Sequence, residues 1–226
     1  MGELFLFSNF INDSHAFAFF FHLILVFALI LIVAILAVSN MKMVPKGAQN
    51  IMEGYLDAVV NMGAGMTGNM EVAKKHMPIV ATIGLVVFVS NMIGIIPGFE
   101  APTASLNLTV PLAITVFFYY NIEGVKANGF INYLKHFMGP VKAMAPLMFV
   151  IEIVSHCSRV ISLSFRLFGN VKGDDLFLMI ILALAPYVAP LSGFALLTLM
   201  GSLQAFVYVM LAYVYIAAAV ASSEEH

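Results

Sequence analysis

Between Ala16 and Val38 the sequence carries one polar side chain, His22, in an otherwise unbroken apolar run. A run of about 23 residues is enough for one helix to cross a hydrocarbon core about 30 Å thick. Further apolar runs follow at 78–97, 106–122, 143–190 and 193–221. The solvent such a chain must satisfy is lipid. Composition agrees: 62% of the residues are hydrophobic and 10% charged, against about 25% charged in a soluble domain. The expected class is therefore all-α, a multi-pass transmembrane helical protein.

Several functions are excluded early. The net charge is −2 and there is no Lys/Arg-rich run, so nucleic acid is not an expected partner. The single cysteine, Cys157, rules out an internal disulfide and any CxxC metal site. No phosphate-binding GxxxxGK[ST] string, HExxH or GxSxG is present, so neither nucleotide chemistry nor a recognisable intramembrane hydrolase is expected, and no cofactor or metal is implied. Residues 1–13 hold no positive charge and the run behind them is too long for a signal-peptide core.

The chain reads as a single integral membrane domain over 1–226. Residues 1–15 form an N-terminal leader and 16–40 the first span. In 49–77, apolar Ile51, Tyr55, Val59 and Met62 recur at helical spacing among Glu53, Asp57 and Asn61. That pattern predicts an amphipathic helix lying on the interface. The second and third spans occupy 78–122, and 143–221 holds a long helix pair. The part at 143–190 is unusual. As one helix it would be roughly 70 Å long, so either it breaks near 169–173 and crosses twice, or it crosses once at a steep tilt. Lys42, Lys46, Lys74 and Lys75 follow the first span, and Lys126, Lys135 and Lys142 follow the third, whereas 98–105 holds no Lys or Arg. By the positive-inside rule the N-terminus is then outside. The side of the C-terminus depends on whether 143–190 crosses once or twice.

Within that segment Glu152, Ser155, Arg159, Ser162, Arg166 and Asn170 succeed one another at intervals of three or four residues, one face of a helix. An arginine at membrane depth costs at least about 2.5–3.5 kcal/mol on insertion scales. It persists only where it faces a cavity, a counter-charge or, by snorkelling, the membrane surface. Glu152 lies about two helical turns from Arg159 and offsets it weakly, and nothing nearby on the stripe neutralises Arg166. A partner on another chain is the expectation. Lys172, Asp174 and Asp175 read either as a solvated turn or as channel-lining groups. In the last run Gly201, Gln204, Tyr208, Ala212, Tyr215 and Ala219 form a second stripe of polar and small residues, read either as helix glue or as the wall of a water path.

At 162–170 the string SLSFRLFGN resembles the subunit a family of F-type ATP synthases. Val44-Pro45, the stretches 91–97 and 102–109, Leu203-Gln204-Ala205-Phe206 and the Ser-Glu-Glu-His end are similar to the same family along most of the chain. The resemblance implies that Arg166 faces the carboxylates of a rotor ring. It implies that Asn170, Asp175 and Gln204 line the outer half-channel, and that Glu152 and Ser162 flank the arginine. It selects a single tilted helix at 143–190 and hence about five crossings, with the C-terminus cytoplasmic in a bacterial inner membrane. Implied partners are the rotor c-ring, the peripheral-stalk b subunits, the remaining F1F0 subunits and membrane lipid. On its own the chain would not be an enzyme. Two positions depart from the family: Leu197 stands where many relatives place a histidine, and Gly94 where some carry an aspartate.

The chemistry suits the residue types. A guanidinium has a pKa above 12 and never releases its proton, so Arg166 can attract an ionised carboxylate without carrying protons itself. A secondary transporter is the competing reading, since it also places ionisable groups at mid-membrane. Transporters usually show internal repeats, and none is legible here.

Overall fold

A computed structural model describes residues 14–39, 41–96, 98–130, 133, 145–184 and 189–221. Six α-helices follow in order: α1 (His15–Val38), α2 (Ala48–Thr67), α3 (Met70–Ile95), α4 (Leu106–Asn128), α5 (Ala145–Leu184) and α6 (Ala189–Ala221). A 3-10 turn at Pro102–Ala104 precedes α4. Five of these helices, all but α2, are long and apolar enough to cross a membrane. The fold is all-α, with the expected number of candidate spans. The leader at 1–13, Lys135, Lys142 and the acidic tail at 222–226 lie outside the described residues.

The stretch expected as one amphipathic helix over 49–77 divides at Gly68. There φ is +68°, and the Gly68 N–H closes the end of α2 on Ala64 O. Only glycine takes that backbone conformation at little cost. Asn69 then caps α3 by accepting the Glu71 N–H. Residues 70–77 therefore extend the second span, and Pro78 sits inside α3 instead of opening it. Proline removes one helical N–H, and the Pro78 carbonyl accepts the Thr82 hydroxyl at 2.7 Å. Helix α2 is held to the bundle by Tyr55, whose hydroxyl donates to Ala81 O at 2.8 Å.

The core lies where α3, α4, α5 and α6 meet, around Val80, Val87, Val116, Tyr120, Leu163, Leu167, Tyr208 and Tyr213. Close approach depends on glycine. A Cβ on Gly84 of α3 would lie 2.5 Å from Val209 of α6 and 2.6 Å from the Tyr55 hydroxyl. Apolar side chains on the outer faces of α1 and α5, such as Ile24, Leu31, Val154 and Ile180, stay exposed, as lipid-facing positions do.

Helix α5 does not break at 169–173. It is one helix of 40 residues, about 60 Å long at 1.5 Å per residue. That is about twice the hydrocarbon thickness, so it can remain within the core only if steeply inclined.

Candidate functional site: the open edge of α5

Leu163, Ser164, Leu167 and Val171 form the packed face of α5, while Ser162, Arg166 and Asn170 stand exposed. On the packed face the Ser164 hydroxyl reaches Thr109 O at 3.4 Å. Among the described residues no hydrogen bond or ion pair reaches Arg166. One turn on, the Asn170 side-chain amide donates to Gln204 Oε1 at 2.5 Å, tying α5 to α6. Gln204 is only 5% exposed, yet its Nε2 has no partner. Buried polar groups are nearly always paired with protein or water. This amide beside the arginine edge therefore calls for a water molecule or an acceptor from outside the chain.

Two polar sets lie on either side of Arg166 along the helix. Glu152, 14 residues before it, stands about 21 Å away along the axis; Asp175, nine residues after it, stands about 13 Å away. In the first set the Glu152 carboxylate pairs with His156 Nε2 at 3.3 Å, and His156 Nδ1 meets the Tyr120 hydroxyl at 2.7 Å. Arg159 lies over the rings of Tyr120 and Tyr215, 6.0 and 5.4 Å from their centroids. A guanidinium on aromatic faces is stabilised by the ring quadrupole. The two arginines of the stripe thus differ in kind: Arg159 lies over two aromatic rings, whereas Arg166 has no hydrogen bond or ion pair among the described residues.

In the second set Lys172 Nζ lies 3.4 Å from Glu100 and 3.7 Å from Asp175. The Glu100 N–H is accepted by His22 Nε2 at 3.3 Å. Glu100, His22, Ser105, Asn107 and Phe168 line a cavity of about 420 Å³. At about 30 Å³ per molecule it has room for on the order of ten waters.

The two sets occupy opposite ends of the bundle. Tyr120 belongs to the end where α4 finishes and α3 begins. There Lys75 and Lys126 both pair with Glu123, at 2.6 and 2.8 Å, and Lys42 and Lys46 lie in the nearby connection between α1 and α2. Glu100 and Asp175 belong to the end where α1 starts and α3 turns into α4.

The expected site residues are thus distributed as follows. Asn170 and Gln204 are brought together, and Asp175 joins a charged set on one side. Glu152 joins another set on the other side, and Ser162 stands exposed on the edge next to Arg166. Leu197 is buried. At Gly94 a Cβ would come within 2.5 Å of the Ala101 Cβ, so an aspartate would not fit there without displacing the loop. Sequence reasoning missed Glu100, Lys172 as its partner, His22, and the His156–Tyr120 pair. Of these, only the Lys172–Asp175 spacing of three and the Glu152–His156 spacing of four were visible as same-face intervals. Asn91 also has a role the sequence did not suggest. It donates to Gly201 O at 3.1 Å and accepts the Thr103 hydroxyl at 2.7 Å, joining α3, α6 and the 3-10 turn.

The family described as ATP synthase A chain matches residues 19–217. The chain is 62% identical over 226 residues to an ATP synthase subunit a of Campylobacter fetus subsp. fetus (strain 82-40), covering 100% of both. It is 61% identical to that of Campylobacter concisus (strain 13826) and 58% identical to one from Campylobacter jejuni, again over 100% of each chain.

Proposed function

The chain belongs to the ATP synthase A chain family, and on that premise we propose that it is the stationary ion-channel subunit of a rotary F1F0 ATP synthase. It carries protons to and from the carboxylates of a turning c-ring. The observation that carries the reading is Arg166, without a hydrogen bond or ion pair among the described residues on the open edge of α5, between one polar set at each end of the bundle. A secondary transporter, the competing reading of the sequence, is not favoured by the family.

Rotation needs two half-channels that do not meet. The outer one is assigned to Asp175, Asn170 and Gln204, and the inner one to the end bearing Glu152. A proton from outside reaches a rotor carboxylate beside Asn170 and Gln204, and the neutral group turns away into lipid. After nearly a full turn it releases the proton toward Glu152. The ionised carboxylate then passes Arg166, whose fixed positive charge stabilises it and repels a proton moving directly between the half-channels. Ser162 lies on the same edge and helps keep that passage polar.

The attraction must be limited. Two unit charges 4 Å apart attract by about 4 kcal/mol at an effective dielectric of 20, whereas each charge falling through 100 mV supplies about 2.3 kcal/mol. A wet interface is therefore required, and the exposed polar edge together with the unpaired Gln204 amide fits it. The inclination of α5, needed to keep about 60 Å of helix in the bilayer, lays the edge along a cylindrical ring. The lysine-bearing end faces the cytoplasm of a bacterial inner membrane by the positive-inside rule, with the start of α1 outside. The peripheral-stalk b subunits complete the stationary assembly.

The test is Arg166→Gln, read by ATP-driven proton pumping in inverted membrane vesicles with co-purification of the ring. Pumping lost while the ring is retained is the expected result. Full pumping would overturn the reading.

A further inference from the structure

The outer set holds more carboxylate than it can neutralise. Lys172 lies between Glu100 and Asp175, and one ammonium balances one of them. Asp174 adds a further acid beside them. Among the described side chains at this end, His22 on α1 is a further titratable group, and the facing ends of α3, α4 and α6 carry no charged one. Lys172, Glu100 and Asp175 are each partly exposed. Glu100 also lines the cavity of about 420 Å³, to which Phe168 of α5 contributes as well.

We propose that Glu100 is the first proton-accepting group of the outer path, taking protons from the water of this cavity and exchanging them with Asp175 across their shared partner Lys172. This deepens the channel reading and rests on it. A proton from external water forms an O–H bond with the Glu100 carboxylate, which frees Lys172 to pair with Asp175. When that proton passes by way of water to Asp175 on the other side of Lys172, the ammonium returns to Glu100. The set gains one positive charge on uptake, keeps it through the transfer, and returns to its starting charge when Asp175 passes the proton on; no co-reactant is needed. Lys172 acts as a counter-ion shared by the two acids.

His22 is a positioning residue for this mouth. The Ala18 carbonyl can only accept, so the 2.7 Å contact fixes the proton of His22 on Nδ1. That leaves Nε2 as the acceptor for the Glu100 N–H. At 1% exposure, with Phe99 edge-on to its ring, the imidazole pins the loop that carries Glu100 to α1.

The experiment uses the whole enzyme in vesicles and varies the pH on the outer side alone while ATP synthesis is measured. For Glu100→Gln the rate should fall several-fold at alkaline outer pH and little at acid outer pH, and Glu100→Asp should restore most of it. His22→Ala should shift the same profile in the same direction by less, while the dependence on inner pH stays unchanged. A wild-type profile for Glu100→Gln, or an equal fall at every outer pH that Glu100→Asp does not rescue, would overturn the proposal. Arg166→Gln in the same preparation separates the two levels. If it is inactive while Glu100→Gln behaves as wild type, only this inference fails; if it is active, the channel reading itself fails.

Discussion

Asn170 and Gln204, 34 positions apart in the chain, are joined by a 2.5 Å hydrogen bond from the Asn170 side-chain amide to Gln204 Oε1, between α5 and α6, that leaves Gln204 Nε2 as a buried donor without a partner among the described residues. One amide thus grips the neighbouring helix with its oxygen while its nitrogen is buried without a hydrogen bond among the described residues. Gln204→Leu removes the hydrogen bond and the buried donor together and takes away the acceptor of the Asn170 amide. We expect proton flux to fall at least about tenfold, equivalent to about 1.4 kcal/mol on the limiting barrier, with the ring still bound. Gln204→Glu keeps the acceptor and should lose less. Equal rates for Gln204→Leu and wild type in a vesicle pumping assay would remove Gln204 from the path.

The two arginines should respond oppositely to lysine. Arg159→Lys keeps the charge but loses a planar cation over Tyr120 and Tyr215, worth about 0.5–2 kcal/mol. The complex should melt earlier in detergent while retaining part of its pumping. Arg166→Lys should abolish pumping and leave melting unchanged, because among the described residues it breaks no hydrogen bond or ion pair.

Gly84 tests the packing of three helices at one point. Gly84→Ala drives a methyl against Val209 and the Tyr55 hydroxyl, and overpacking of this kind costs about 1–3 kcal/mol. Tyr55→Phe removes one of the two obstructions. The double variant should therefore be more stable than the sum of the single effects, a coupling that thermal unfolding of the purified complex would reveal.

Tyr55 also has a pH signature. Burial, with Tyr213 nearby, pushes its hydroxyl up to about 12 from an ordinary value of 10.0. Its folded pKa is raised, so its contribution to stability is complete below pH 10 and is lost as pH rises toward 12. The difference between the tyrosinate absorbance titrations of wild type and Tyr55→Phe should show one step near pH 12. A step near pH 10 would mean that the α2–α3 contact is open in solution.

Much of this was legible in the sequence, because the constraints were local. Unbroken apolar runs set the helices, and intervals of three and four placed Arg166, Asn170 and Glu152 on one edge. The break between α2 and α3 was not read, although Gly68 stood at it. The pattern of apolar residues continues across the break, and only the positive φ shows that the chain turns there. Glu100 and Lys172 lie 72 positions apart and His22 further still from Lys172, so no periodicity could join them. The turn-rich loop at 98–105 reads as solvent in a sequence, and only its packing against α1 and α5 turns Glu100 toward Lys172.

The central claim is that water reaches α5 from opposite sides on the two flanks of Arg166. With Cys157 replaced by serine, single substitutions Ser155→Cys, Ser158→Cys, Asn170→Cys and Asp174→Cys can be labelled with a membrane-impermeant thiol reagent in inverted and in right-side-out vesicles. The account predicts labelling at 155 and 158 from the cytoplasmic side only, and at 170 and 174 from the outer side only. Labelling of all four from one side, or of any from both, would contradict it.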